Sequence, residues 1–183
     1  MDARVQSYFQ DLESKNKEIQ YEAYQKVLTE IEKKVEWAYE VWDELLQELT
    51  SRDHHKRSRA AQFLASLAKS DPEKRIVNDF LKLWEVTKDP KFVTARHSLQ
   101  SIWRVGLAGD EQQKLVMAHF TDRFMNCADE KNDTLIRYDI IQGLKHLYDE
   151  VKREEIKQAA LDLIEREENP KYQRQYAAVW RHS

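Results

Sequence analysis

Three glycines and three prolines in 183 residues leave this chain few ways to turn. A soluble chain of average usage would hold about 22 of the two together. Glycine supplies the positive φ that tight hairpins and bulges need, and proline presets the backbone of many loops. Sandwiches, barrels and doubly wound sheets use both freely. With 41% hydrophobic and 34% charged residues, the chain has enough apolar material for a core and too much for a disordered segment. The expected class is all-α.

The length fits one domain or one short array, residues 1–183. A net charge of −3 excludes a strongly basic nucleic-acid binder over the whole molecule. The single cysteine, Cys127, excludes an internal disulfide and a multi-cysteine zinc site, and fits a reducing compartment. Met1-Asp2-Ala3-Arg4-Val5-Gln6 has no apolar run of the signal-peptide kind. No stretch approaches the ~18 apolar residues of a membrane span. A cytoplasmic location and no membrane partner are the expectation.

Short polar breaks divide the chain, among them Ser51-Arg52-Asp53, Ser70-Asp71-Pro72, Lys88-Asp89-Pro90, Ala108-Gly109-Asp110 and Glu168-Asn169-Pro170. Between them, apolar residues recur at spacings of three and four, as in Ile76, Phe80 and Leu83. The spacing predicts helices over 3–13, 16–34, 36–50, 54–69, 73–87, 91–106, 111–128, 134–149, 152–167 and 171–181. Asp71-Pro72, Asp89-Pro90 and Asn169-Pro170 each offer a capping side chain and a proline for a first helical turn.

Alternate helices align on one pattern. Leu28, Leu64, Leu99, Leu144 and Val179 serve as anchors, separated by 36, 35, 45 and 35 residues. Three positions on stand Ile31, Leu67, Ile102, Leu147 and His182. One position before stand Val27, Phe63, Ser98, Gly143 and Ala178. The pattern predicts five helix pairs, at about 3–34, 36–69, 73–106, 111–149 and 152–181. A single pair cannot bury its own apolar face, whereas stacked pairs share a continuous core.

Asp89-Pro90-Lys91-Phe92-Val93-Thr94-Ala95 through Leu99 and Ile102, and Asn169-Pro170-Lys171-Tyr172 through Ala178 and Val179, carry a likeness. At the level of period the chain resembles the HEAT-repeat family, an α-solenoid also close to armadillo repeats. It departs from that family where Val93 and Thr94 occupy the stretch in which an Arg usually follows the Pro. The resemblance implies a right-handed α–α superhelix of about five HEAT-like helix pairs. It also implies that the second helix of each pair lines a concave inner surface.

Those second helices carry the basic charge. Helix 54–69 holds Lys56, Arg57, Arg59 and Lys69 with no acid, while the partner helix 36–50 holds Glu36, Glu40, Asp43, Glu44 and Glu48 with no base. A wheel at 100° per residue puts Gln62, Ala65, Lys69, His97, Gln100, Arg104, Gln142, Lys145, Asp149, Ala177 and Trp180 opposite the core. Arg59, Ser66, Ser101, Asp139, His146, Arg174 and Arg181 flank them. The expected binding row is Arg59, Lys69, Arg96, Arg104, Lys145, Arg174 and Arg181, with further contacts from His97, Gln100, Asp139, Gln142 and Trp180. The alternative is a solvated face with no ligand.

No Ser-His-Asp grouping, Gly-rich phosphate loop, His-x3-His or His-Glu-x-x-His occurs. The adjacent His54 and His55 cannot share one helix face. The expectation is no cofactor, no metal and no catalysis: a scaffold that holds a protein or other anionic partner on its concave face. A second reading is nucleic-acid binding. Within it, HEAT-like DNA glycosylases pair a basic cleft with aromatics and an Asp, a set that Asp139, Tyr138, Trp103 and Trp180 would imitate; the alternative for Asp139 is an ion pair with Arg137 or with an Arg of a neighbouring repeat. Tyr172, Tyr176 and Trp180 lie on the last helix, where they form a cap or an interface to a larger assembly.

Overall fold

The computed structural model describes residues 1–181 of the 183. Among these residues there is no strand, and ten α-helices follow one another. They are α1 (Ala3–Asp11), α2 (Lys17–Glu30), α3 (Ala38–Glu48), α4 (His54–Leu67), α5 (Arg75–Val86), α6 (Phe92–Ser101), α7 (Asp110–Asn126), α8 (Asp133–Val151), α9 (Glu154–Glu165) and α10 (Pro170–Ala178). Each corresponds to one expected segment, with ends shifted by a few residues. His182, placed in the anchor pattern, lies outside the described residues.

Caps fix many of the starts. The side chains of Asp2, Asn16, Asp53 and Asn169 accept from the N–H groups of Val5, Glu18, His55 and Lys171. Each such cap stabilises its helix by about 1 kcal/mol. Pro170 occupies the first turn of α10 as expected. The other two prolines do not start helices. Asp89 Oδ1 accepts from Lys91 N–H at 2.8 Å, and α6 begins only at Phe92. Asp71 Oδ2 accepts from Ile76 N–H at 2.7 Å, bridging a turn in which Lys74 is left-handed at φ 55°. Each aspartate caps a turn that runs past its proline.

Two series of contacts organise the helices. Along one, α2 packs on α4, α4 on α6, α6 on α8 and α8 on α10; along the other, α3 packs on α5, α5 on α7 and α7 on α9. Sequential neighbours such as α3 with α4, α5 with α6, and α8 with α9 join the two series. The core between them includes Trp42, Phe63, Phe80, Phe120, Phe124 and Tyr176, each at most 1% exposed. Gly143 belongs to this packing: a Cβ there would stand 3.0 Å from Phe120 Cε2. It is the small position that lets α8 approach α7.

One expected helix is divided. Over 91–106 the α-helix ends at Ser101, and a 3-10 run continues from Ile102 to Ala108. Gly106 weakens the preference for α geometry at that point. The run packs against α4, α7 and α8, and a Cβ on Gly106 would stand 2.8 Å from Leu147 Cδ1. It also lies over α4, which corrects the wheel: Ala65 is 0% and Ser66 4% exposed, so neither belongs to an open face.

Candidate binding surface of the even-numbered helices

The structure sorts the seven cations of the expected row into two groups. Four are committed to internal partners. Arg59 is buried and donates through Nη1 to Leu12 O at 3.2 Å and through Nη2 to Glu13 at 3.4 Å. Lys69 donates to Glu32 O. Arg96 gives Nε and Nη2 to Asp139 at 3.0 and 3.3 Å, and Lys145 binds Asp149 at 2.6 Å. The guanidinium groups of Arg104, Arg174 and Arg181 form no hydrogen bond or ion pair with described residues, and Arg174 and Arg181 are exposed.

A cation and aromatic cluster collects where α4, the 3-10 run and α8 end. Arg104 lies over the Trp103 ring at 4.8 Å, and Trp103 meets His146 at 5.3 Å. Lys145 lies over Trp180 at 5.7 Å, and Tyr148 meets that indole at 5.4 Å. Burial, and then the charge of Arg104, pushes the Lys69 ammonium below its ordinary pKa. His146 is pushed down by burial first, then by Arg104 and Lys145, against the pull of Asp149. Helix C-termini favour cations, yet here the cations also oppose one another. Glu32, Glu150 and Asp149 offset part of this.

Further toward the N-terminal ends, α2, α4 and α6 enclose a cleft of about 300 Å³. Lys17, Tyr24, His55, Arg59, Gln62 and His97 line it, and no lining residue is acidic. Tyr24 donates to Gln62 Oε1 at 2.6 Å, and Arg59 Nε is buried with no hydrogen-bond partner. His97 and Gln62, both expected on the row, thus meet in one polar concavity.

Asp139 sits elsewhere. It is 3% exposed, held by Arg96 and by Gln100 Nε2 at 3.1 Å. It lines the floor of a larger cleft of about 680 Å³ between the α5–α6 turn and the α7–α8 loop. None of Tyr138, Trp103 and Trp180 lines that cleft, so the residues that would imitate a glycosylase centre are not brought together. The aromatic end of the chain also turns inward. Tyr176 is 0% and Trp180 7% exposed, and Tyr176 donates to Thr134 O at 3.0 Å. Gln142 is half-buried on α8.

Sequence reasoning counted Arg57 with the basic face of its helix and did not foresee the ion pairs that Arg57 and Arg137 make between successive even-numbered helices. Arg57 of α4 makes a bidentate pair with Asp89, ahead of α6. Arg137 of α8 binds Glu167, ahead of α10, at 2.9 Å. Both arginines stand seven residues before Leu64 and Leu144, whereas Tyr21, Phe92 and Tyr172 stand at that spacing before Leu28, Leu99 and Val179, so the spacing alone gave only a partial signal. In α6 the same position is Phe92, which is 47% exposed, and the step to α8 is tied instead by Arg96, four residues on, which holds Asp139. Arg123 of α7 braces the adjoining turn instead, donating to Thr87 Oγ1 at 2.6 Å and to Glu130 at 2.8 Å.

Among the described residues, no group of three or more His, Cys, Asp or Glu is placed to hold a metal ion. None of their helices is long and apolar enough to cross a membrane. No model of a known protein family matches the chain, and no curated protein matches it in sequence.

Proposed function

We propose that the chain is a HEAT-like α-solenoid, a right-handed stack of five helix pairs, acting as a non-catalytic scaffold that holds an acidic protein segment on its even-numbered helices. The contact order supports the architecture, because each even helix touches the next even helix and each odd helix from α3 to α9 the next odd one. The observation that carries the function is the cluster of Lys69, Arg104, Lys145 and His146 beside Trp103 and Trp180. Arg104 opposes the charge of Lys69 and the protonation of His146, and an anion that joins Arg104, which has no ion pair among the described residues, relieves that cost. Arg174 and Arg181 on and beside α10, whose guanidinium groups have no internal partner among the described residues, extend the same charge toward the end of the chain.

A titration of the tryptophan emission with a polyglutamate peptide, and separately with DNA, tests this. Saturable binding of the peptide is expected, weakening as salt rises. Arg104→Glu combined with Arg174→Glu should weaken it about tenfold or more. Duplex or single-stranded DNA binding in place of the peptide would overturn the protein reading in favour of a nucleic-acid partner. Silence toward every polyanion at low salt would overturn both.

A further inference from the structure

We infer that the cleft between the α5–α6 turn and the α7–α8 loop is a second site, and that it takes a small organic carboxylate with an apolar body. The cleft opens where the repeat is irregular. Arg57 clasps the α4–α6 step and Arg137 the α8–α10 step, but α6 carries Phe92 at that place, and its tie to α8 runs through Arg96 and Asp139 deeper in the cleft. The step from Leu99 to Leu144 is also the long one, 45 residues. About 680 Å³ stays open here, within the range of small-molecule sites.

The lining states the chemistry. Phe92, Leu99, Leu135 and Ile136 supply apolar wall. Three carboxylates line the cleft, and each already has an arginine: Asp89 with Arg57, Glu130 with Arg123, and Asp139 with Arg96. Lys88 and Lys131 line it too, and neither makes an ion pair with a described residue. Arg96 gives Nε and Nη2 to Asp139, while its Nη1 bonds to no described residue. The cleft therefore offers unmatched positive charge and no unmatched negative charge. Its floor is held rigidly by nine-tenths-buried polar side chains, Arg123 at 5% and Asp139 at 4% exposed. An apolar ligand bearing one carboxylate satisfies both the wall and the lysines, and a cationic ligand of the same shape satisfies only the wall.

Calorimetry and amide NMR with phenylbutyrate, phenylbutanol and phenylbutylamine test the assignment. Saturable binding of phenylbutyrate is expected, with shifts confined to residues 88–96 and 130–139. The amine should bind about tenfold more weakly, as loss of a charge-assisted contact implies. Lys88→Gln with Lys131→Gln, both exposed sites, should erase the preference of the acid over the alcohol. Phe92→Arg, which puts at this place the residue that α4 and α8 carry as Arg57 and Arg137 and removes the aromatic wall, should abolish binding of all three. Equal affinity for acid and amine, shifts mapped elsewhere, or no saturation with the wild-type chain would each overturn the inference. The wild-type shift map keeps the test decisive if Phe92→Arg does not fold. The site lies apart from the Arg104 cluster, so a null result with polyglutamate leaves this result standing, and the reverse holds.

Discussion

The Asp89 carboxylate, with a side chain only 4% exposed, is gripped on both oxygens by Arg57, 32 residues earlier in the chain. The same guanidinium donates to Ser51 O at 2.7 Å. One side chain thus joins the turn before α4 to the turn before α6. Arg57→Met would leave a buried carboxylate without its charge partner, at a cost of about 3 kcal/mol. Chemical denaturation should show this as a lower midpoint with an unchanged slope. Burial alone would raise the Asp89 pKa, but Arg57 and the Lys91 N–H outweigh it and hold the carboxyl below its ordinary 3.8. The sign follows: the stabilisation is complete above the unfolded value and is lost as pH falls through the lower folded one. Asp89→Asn should flatten that acid limb.

Gly143→Ala sets two effects against each other. Alanine is favoured in a helix interior by about 1 kcal/mol. Its Cβ would stand 3.0 and 3.1 Å from Cε2 and Cζ of Phe120, a ring that is itself 0% exposed and meets Trp84 at 6.2 Å. A ring so enclosed cannot retreat, and overpacking costs about 1–3 kcal/mol. The net expectation is a loss of about 1 kcal/mol, read as a fall in Tm. A rise would show that α7 and α8 have slack.

Arg104→Gln should raise the pKa of His146, because Arg104 stands among the causes that depress it, after burial. The same change should raise the Lys69 pKa. Histidine proton NMR across the neutral range gives the first directly. An unmoved His146 titration would mean that Arg104 exerts no charge effect on it and that burial, Asp149 and Lys145 set the value.

Cys127 is 0% exposed, and burial pushes its thiol pKa up against the opposing charge of Arg137. The reactive thiolate is therefore scarce at neutral pH. A thiol reagent should modify the native chain only as fast as the chain opens, and rapidly in denaturant. Fast native labelling would place Cys127 in a segment that opens locally.

The helices were legible because apolar residues at three and four apart leave little choice of element, and Asp53 and Asn169 mark their starts. The pairing of even helices followed from Leu64, Leu99 and Leu144, since side chains on one phase must share one core. The surface was less legible. Arg59 and Lys145 read as solvent-facing charges, and nothing local shows that Leu12 O, Glu13 and Asp149 will occupy them. Arg57 reads only as one more charge of a basic face, and nothing local shows that Asp89 and Glu167 will take Arg57 and Arg137. Ala65 and Ser66 were assigned outward because the wheel knows only its own helix and not the segment folded over it.

That segment, Ile102–Ala108, acts as an angular offset. A 3-10 run turns about 120° per residue where an α-helix turns about 100°. Over its seven residues the difference accumulates to about 140°. The azimuth of each side chain from Ile102 to Ala108 is therefore set by this change of winding as well as by its distance from Leu99. Trp103 and Arg104 reach His146 and the vicinity of Lys69 from directions that a continuous helix would have given to other residues. Lengthening or shortening the run by one residue would rotate the contents of that surface, as well as move them along it.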